Sequence, residues 1–178
     1  MTISQILSAV EKTIQTPKER EYFLIHEARY KIILGNLKNK KLRILDVGCF
    51  PCHLGAAMEM MGHNVYGIAS EHEPIKSKKI AVCNIEKDRF PFKDNFFDLV
   101  LCTEVLEHLP QSPALALSEM RRVTMPRGHI LITTPNIARS INRFKLLFGK
   151  SVMYPLEQIL ENDGAGSNLY HRHNREYT

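Results

Sequence analysis

Short runs of β-branched and aliphatic residues alternate with stretches of helical spacing from residue 42 onward. The first run, residues 42–47, is apolar at most positions, which is typical of a strand buried on both faces. Strands that alternate with helices predict a parallel, doubly wound α/β sheet. Right-handed crossovers then bring the strand carboxyl ends to one edge, where ligands bind. The predicted strands are 42–47, 65–69, 80–83, 98–102 and 129–134.

Two helices are predicted before the first strand. Residues 3–14 have helical spacing of apolar side chains, and Thr16 followed by Pro17 indicates a helix start. The second helix is expected to run to about Leu34, with Gly35 as its stop. The pair is interpreted as a cover for the sheet or a ligand site, without chemistry of its own. Further helices are predicted over 53–61, closed by Gly62, over 112–122, with Ser112 as cap and Pro113 first, and over 137–148, a basic amphipathic segment.

The chain divides into three predicted parts. Residues 1–37 form the helical cover, and residues 38–136 form the α/β core. Residues 137–178 form a substrate lid or tail, which ends in a segment rich in Gly, Asn, His and Arg.

Composition limits the class of protein. The 178 residues are 44% hydrophobic and 24% charged, which fits a globular fold and excludes disorder as the main state. No apolar run is long enough to cross a bilayer, and the N-terminus lacks the basic start of a secretory signal. We therefore expect a cytoplasmic protein whose four cysteines are not a disulfide scaffold. A net charge of +5 permits an anionic partner without requiring one.

The segment ILDVGC at 44–49 leads from a strand into a loop that precedes a helix. Backbone N–H groups of such a turn and the positive end of the helix suit a nucleotide-like ligand. Gly48 would let the backbone approach that ligand closely. Many α/β proteins have such turns, so this segment alone does not identify a function.

Three ordered segments together are more specific. They are ILDVGCFPCHLG at 44–55, FPFKDNFFDLVLCTEVLEHL at 90–109 and EMRRVTMPRGHILITTPN at 119–136. In order and spacing they resemble the motifs of the class I S-adenosylmethionine-dependent methyltransferases. The residues within the motifs are similar to those of the subgroup that includes ubiquinone-type O-methyltransferases. The resemblance implies a Rossmann-like fold, S-adenosylmethionine as cofactor and methyl transfer.

The resemblance also assigns roles to single positions. Asp46 and Gly48 match the loop under the methionine part of the cofactor, and Asn84 with Ile85 matches the adenine contacts. Thr103 and Glu104 match residues beside the methionine moiety or the substrate. The implied cofactor-binding residues are Asp46, Gly48, Cys49, Glu71, Asn84, Ile85, Thr103 and Glu104.

The chain departs from the family pattern in the loop and after the second strand. Where the family has G-x-G-x-G, this chain has Gly48, Phe50 and Cys52. A Cys52 side chain would point towards the cofactor channel or force the loop to move. Ala69 replaces the acidic residue that usually holds the ribose, and Glu71 is a candidate substitute. Asn84 replaces the usual Asp and can still bond to an adenine amine.

His108 has two interpretations. As a general base it would take a proton from a substrate hydroxyl, and as a structural residue it would bond a nearby carbonyl. Glu104, Glu107 and His108 are either ligands of a divalent ion or a solvated turn. We expect no metal site.

Cys49 and Cys52 form a C-x-x-C pair beside His53. The pair is interpreted as redox-active, as metal-binding, or as small thiols buried at a strand end.

Two functions follow from these observations. The first is methyl transfer from S-adenosylmethionine to a small or medium acceptor at oxygen. An Asn/Asp-Pro-Pro-Tyr motif is absent after the fourth strand, which argues against methylation of base amines in DNA, and we do not expect nucleic acid as a partner. The second is a methyltransferase-like binding or assembly module, catalytically degenerate or truncated, favoured by the altered loop and Ala69.

The resemblance predicts two more strands after the fifth, and the sequence stops at HRHNREYT, 171–178. We therefore expect a form truncated at its C-terminus, with an exposed sheet edge. A loop, the tail or a second copy in a homodimer are candidates for covering that edge.

Overall fold

The computed structural model describes residues 1–37, 40–70, 77–152, 173, 175 and 177. Helices and strands alternate after two N-terminal helices, as the sequence predicts. In chain order the elements are α1 (Ile3–Glu11), α2 (Pro17–Asn36), β1 (Arg43–Val47), α3 (His53–Met60), β2 (Asn64–Ala69), β3 (Ile80–Val82), β4 (Phe97–Thr103), a 3-10 turn (Leu106–His108), α4 (Ala114–Val123), β5 (Thr124–Thr133) and α5 (Ser140–Leu147).

The five strands form one parallel sheet in the order β3-β2-β1-β4-β5. The order reverses at β1, which pairs with β2 on one side and β4 on the other. Val47 at the end of β1 lies in register with Ile68 and with Cys102. A doubly wound α/β sheet of this topology binds ligands at the strand carboxyl ends where the order reverses. The predicted fold class is confirmed.

Alternate side chains of the strands enter two different cores. On one face, Ile44 and Leu101 pack with α1, α2 and α3. On the other face, Leu45 and Val100 pack with α4 and the turn that follows β4. This period of two is the geometry of a strand, and it makes a three-layer helix–sheet–helix structure. Residues 1–37 therefore share a hydrophobic core with the sheet.

The second helix is longer than predicted. Gly35 lies inside α2, which ends at Asn36, and the backbone becomes extended only at Leu37. Burial of Leu34 and a hydrogen bond from the Asn36 side chain to the Ile32 carbonyl (2.7 Å) hold the last turn. Thr16 caps this helix and Pro17 is its first residue, as predicted.

Other boundaries also differ from the sequence prediction, and α1 ends at Glu11 rather than at residue 14. α4 begins at Ala114, with Pro113 as its cap, although the Ser112 hydroxyl accepts from the Ala114 N–H (3.2 Å). β5 begins at Thr124 rather than 129, because the chain pairs with Phe97 before a register shift. α5 covers only Ser140–Leu147 of the predicted segment 137–148. None of the helices in the described part of the chain is long and apolar enough to span a membrane.

Gly67 in β2 faces the loop after β1 at close range. A Cβ atom at this position would lie 2.5 Å from the Cys49 Sγ and 3.2 Å from an Ile80 side-chain carbon. Cys49 is 7% exposed, so its side chain has little room to move. We expect Gly67→Ala to lower the free energy of unfolding by about 1–3 kcal/mol, as measured by urea denaturation.

Gly55→Ala is the matched control for this overpacking. Gly55 lies in α3, and a Cβ there would meet Val65 at an ordinary 3.7 Å. Because alanine favours the helix, we expect no loss or a gain of up to about 1 kcal/mol. Equal stability of Gly67→Ala and the parent chain would contradict the packing argument.

Candidate functional site

A cleft of about 280 Å³ opens at the carboxyl ends of the strands, around the point where the strand order reverses. Its wall combines apolar side chains with carboxyl, amide, imidazole and hydroxyl groups. The lining residues are Gly48, Phe50, Ile68, Ala69, Ser70, Val82, Cys83, Asn84, Ile85, Glu86, Asp88, Glu104, Val105, His108 and Leu109.

The loop after β1 forms the floor of this cleft. The N–H groups of Gly48 and Cys49 both donate to the Ile68 carbonyl, at 2.9 and 3.0 Å. Gly48 has a left-handed backbone (φ +76°), and a Cβ there would lie 2.4 Å from Val105. The close approach of the loop to the segment after β4 therefore requires glycine at position 48.

The end of β3 supplies a second wall. The Asn84 side-chain oxygen accepts from the Glu86 N–H (3.0 Å), and the Asn84 N–H donates to the Asp88 carboxylate (2.9 Å). These bonds fix the turn that presents Asn84 and Ile85 to the cleft. Ala69 also lines the cleft at the end of β2. Glu71, the predicted ribose ligand, lies outside the described residues.

Glu104 connects the cleft to the N-terminal helices. Its carboxylate binds the Arg29 guanidinium of α2 at 2.9 Å and accepts from the Thr133 hydroxyl at 2.9 Å. Its backbone is left-handed (φ +56°), so the chain turns sharply after β4. The interpretation of α2 as a cover without chemistry is therefore incomplete, because Arg29 neutralises a carboxylate of the cleft wall. The sequence contains no pattern that singles out Arg29.

Three predicted cofactor residues lie near the cleft but not on its surface. Thr103 ends β4 in register with Thr133, and Cys49 is packed under β2. Asp46 lies within β1 and is only 3% exposed. Burial raises the pKa of the Asp46 carboxyl to about 7.

The Cys52 side chain does not line the cleft, although one prediction placed it towards the cofactor channel. Cys52 is not among the lining residues, and its Sγ lies 3.6 Å from that of Cys49. Cys52 takes the left-handed backbone (φ +69°) that a family glycine would adopt. His53, the adjacent candidate ligand, is held by Glu19 at 2.9 Å.

His108 lines the cleft and belongs to a cluster that the sequence did not predict. One ligand atom each from Glu107, His108 and His173 lies within 4.8 Å of the other two. A carboxylate and two imidazoles are a donor set that divalent transition metals accept. Glu104, which the sequence groups with Glu107 and His108, is paired with Arg29 instead. These three residues are therefore the described group that could hold a metal.

Several cleft residues were missed by the sequence analysis. Phe50, Ser70, Asp88, Val105 and Leu109 line the cleft. Each lies within a few residues of a strand end, which is the signal that could have found them. Gly48, Asn84, Ile85, Glu104 and His108 were predicted and are brought together around the cleft.

Residues 45–132 match the model of a protein family described as "Methyltransferase domain". The ubiquinone biosynthesis O-methyltransferase of Acinetobacter baylyi is 31% identical over 113 residues, which cover 57% of this chain and 46% of that protein. The enzyme of the same name from Acinetobacter baumannii (strain AYE) is 28% identical over 149 residues, covering 78% of this chain and 59% of that protein. The chain spans about half the length of the curated relatives it matches.

Solved structures are similar in fold. A SAM-dependent methyltransferase from Archaeoglobus fulgidus has a TM-score of 0.52 and 19% identity, and covers 76% of this chain and 69% of that chain. A putative methyltransferase from an antibiotic biosynthesis pathway of Anabaena variabilis has a TM-score of 0.53 and 20% identity, and covers 84% and 62%.

The buried carboxyl of Asp46 makes stability depend on pH. Its pKa is about 7 in the folded chain, against about 3.9 in an unfolded chain. The unfolded state therefore loses this proton first, and the folded state is progressively penalised as pH rises from about 4 to 7. Asp46→Asn removes the ionisation, so we expect its unfolding free energy relative to the parent chain to rise by about 4 kcal/mol between pH 4 and pH 8.

Urea denaturation of both proteins across this pH range measures the difference. Every other titrating group is common to the two chains and cancels. Parallel pH profiles of the parent and Asp46→Asn would show that the carboxyl ionises freely in the folded protein.

Proposed function

Since this chain belongs to the class I S-adenosylmethionine-dependent methyltransferases, we propose that it transfers a methyl group to a hydroxyl oxygen of a small or medium acceptor. The observation that carries the proposal is the cleft at the ends of β1, β2, β3 and β4, where Gly48, Asn84, Ile85 and Glu104 meet. About 30% identity to two ubiquinone biosynthesis O-methyltransferases supports oxygen as the acceptor atom.

The residues around the cleft fit S-adenosylmethionine, the cofactor of this class. Gly48 lines the cleft, and because it lacks a Cβ the loop can approach Val105, which lines the cleft beside it. Ala69 and Ile85 provide apolar wall for an adenine ring, and Asn84 provides an amide beside it. Glu104 lines the other wall, where Arg29 and the Thr133 hydroxyl hold its carboxylate in place.

When bound, the cofactor supplies an electrophilic methyl group on a sulfonium sulfur, so the protein contributes chiefly position. His108 lines the cleft beyond Glu104 and Val105. We assign His108 as the group that accepts the proton of the acceptor hydroxyl as the oxygen is methylated. Its ring contacts that of His173 edge-on, with centroids 5.0 Å apart, which holds the orientation of the imidazole.

A second candidate is a methyltransferase-like module that binds ligand or partner without turnover. It is favoured by Ala69, which ends β2 without the carboxylate that the family usually has there. Binding without methyl transfer to any hydroxyl acceptor would support this alternative.

Cofactor binding is tested by calorimetric titration of S-adenosylmethionine and S-adenosylhomocysteine into the chain. We expect micromolar affinity, about −8 kcal/mol. Gly48→Ala places a Cβ 2.4 Å from Val105 and strains a left-handed residue, so the floor of the cleft must shift. We expect this variant to bind at least about tenfold more weakly, which is 1.4 kcal/mol.

Gly62→Ala is the control for backbone strain. Gly62 is also left-handed (φ +90°), but a Cβ there would meet nothing within 4 Å. It lies outside the cleft lining, so its variant carries a similar strain without altering the floor. Equal loss of affinity in both variants, or none in either, would contradict the assigned binding site.

Turnover is tested with a panel of phenol and catechol acceptors and a labelled methyl donor. We expect His108→Gln to lower kcat by about 100-fold or more while the affinity for S-adenosylhomocysteine changes little, because a general base acts on the acceptor. His129→Gln, an exposed histidine of β5 outside the cleft, is the matched control and should keep its kcat. An unchanged kcat in His108→Gln would rule out the proposed proton transfer.

A further inference from the structure

The loop after β1 brings two thiols into contact beside the cleft. The Sγ atoms of Cys49 and Cys52 lie 3.6 Å apart. The Cys52 N–H donates to the Cys49 carbonyl, which closes a four-residue turn between them. Neither the family match nor the methyl-transfer chemistry uses this thiol pair.

We propose that Cys49 and Cys52 form a reversible intramolecular disulfide, and that this bond reshapes the floor of the cleft. A disulfide is about 2.05 Å long, so the two sulfur atoms must approach by about 1.5 Å. The turn already holds the cysteines three residues apart in sequence and in contact in space, so the chain does not have to unfold.

The two thiols differ in environment. Cys49 is 7% exposed, and its hydrogen bond with Cys52 and its burial raise the pKa of its thiol. Cys52 is only partly buried, so a dissolved disulfide can reach its sulfur more easily than that of Cys49. Cys52 is therefore the attacking thiol, and Cys49 is the one that closes the bond.

The oxidant is a small-molecule disulfide, such as oxidised glutathione. The Cys52 thiolate attacks one sulfur of that disulfide, which breaks its S–S bond and releases one glutathione thiolate. Cys49 then gives its proton to solvent and attacks the Cys52 sulfur, which releases the second glutathione. The cysteine pair loses two electrons, the external disulfide gains them, and an excess of reduced glutathione reverses both steps.

Steric confinement decides which part of the loop moves. A Cβ on Gly67 would lie only 2.5 Å from the Cys49 Sγ, so Cys49 is pressed against β2. Closure must therefore draw Cys52 towards Cys49. Phe50 lies between the two cysteines, is 42% exposed and lines the cleft, so the movement alters the cleft surface.

The consequence for ligand binding rests on the proposed function. If the cleft binds S-adenosylmethionine, displacement of its floor should weaken S-adenosylhomocysteine binding by about tenfold. The oxidised chain would then be a less active form of the same protein. Formation of the disulfide itself does not depend on the identity of the ligand.

The experiment equilibrates the full chain in glutathione buffers of graded ratio, quenches it with acid, blocks the remaining thiols and maps them by mass spectrometry. We expect a peptide containing Cys49 and Cys52 that has lost two hydrogen atoms and carries no blocking group. Cys102, which is fully buried, should stay reduced, and Cys83→Ser should still form the disulfide between Cys49 and Cys52. Cys52→Ser should abolish the internal disulfide.

Two further measurements test the coupling to the cleft. Amide hydrogen exchange of residues 48–53 should differ between the reduced and oxidised chains, and this readout needs no ligand. S-adenosylhomocysteine should bind the reduced parent about tenfold more tightly than the oxidised parent, while the affinity of Cys52→Ser should not depend on the glutathione ratio.

The outcomes separate the two proposals. Free Cys49 and Cys52 thiols in a folded chain kept in excess oxidised glutathione would overturn the disulfide. A disulfide that leaves both hydrogen exchange and ligand affinity unchanged would overturn its coupling to the cleft. Absence of ligand binding by the reduced chain would instead contradict the proposed function, while the disulfide would still be judged by the thiol map and by hydrogen exchange.

Discussion

Burial of β1 on both faces is the constraint on which the rest of the structure depends. Ile44, Leu45 and Val47 are completely buried, and the strand pairs with a parallel neighbour on each side. Helices must therefore cover both faces of the sheet, and the strand order must reverse at β1. The loop that leaves β1 consequently opens at the reversal point, and the cleft is a product of the packing of this strand.

The same burial affects the charges of the carboxyl groups at and near the site. Asp46 lies within β1, and burial in the low-dielectric core raises the pKa of its carboxyl to about 7, so a large fraction stays protonated near neutral pH. Glu104, one strand away, remains partly accessible and is balanced by Arg29. The two acidic residues are thus held by different means, one by desolvation and one by an ion pair. The N-terminal helices contribute to the site because Arg29, which forms the ion pair with Glu104, belongs to α2.

The loop itself combines two opposing requirements. At Gly48 only glycine fits, because a side chain would collide with Val105. Four residues later the chain is left-handed again, and here Cys52 accepts a backbone conformation that glycine would adopt more easily. With this left-handed backbone, the Cys52 thiol lies against that of Cys49 rather than in the cleft. A redox-sensitive floor would be one reason to retain a cysteine at a position that suits glycine.

The α/β fold, the order of the elements and several residues of the cleft could be predicted from the amino-acid sequence. Strand and helix periods are local properties, and the topology that they predict brings every strand carboxyl end to one edge. The resemblance of three motifs then placed Gly48, Asn84 and Glu104 in the cofactor site, and His108 follows the same strand as Glu104. Three features emerge only when the chain is folded: Asp46 is buried, Arg29 reaches Glu104, and His173 lies beside His108. These contacts join residues distant in sequence, and their geometry depends on how helices and segments pack on the sheet. The periodicity of apolar residues predicts local helices and strands, and it does not predict distances between residues that are far apart in sequence.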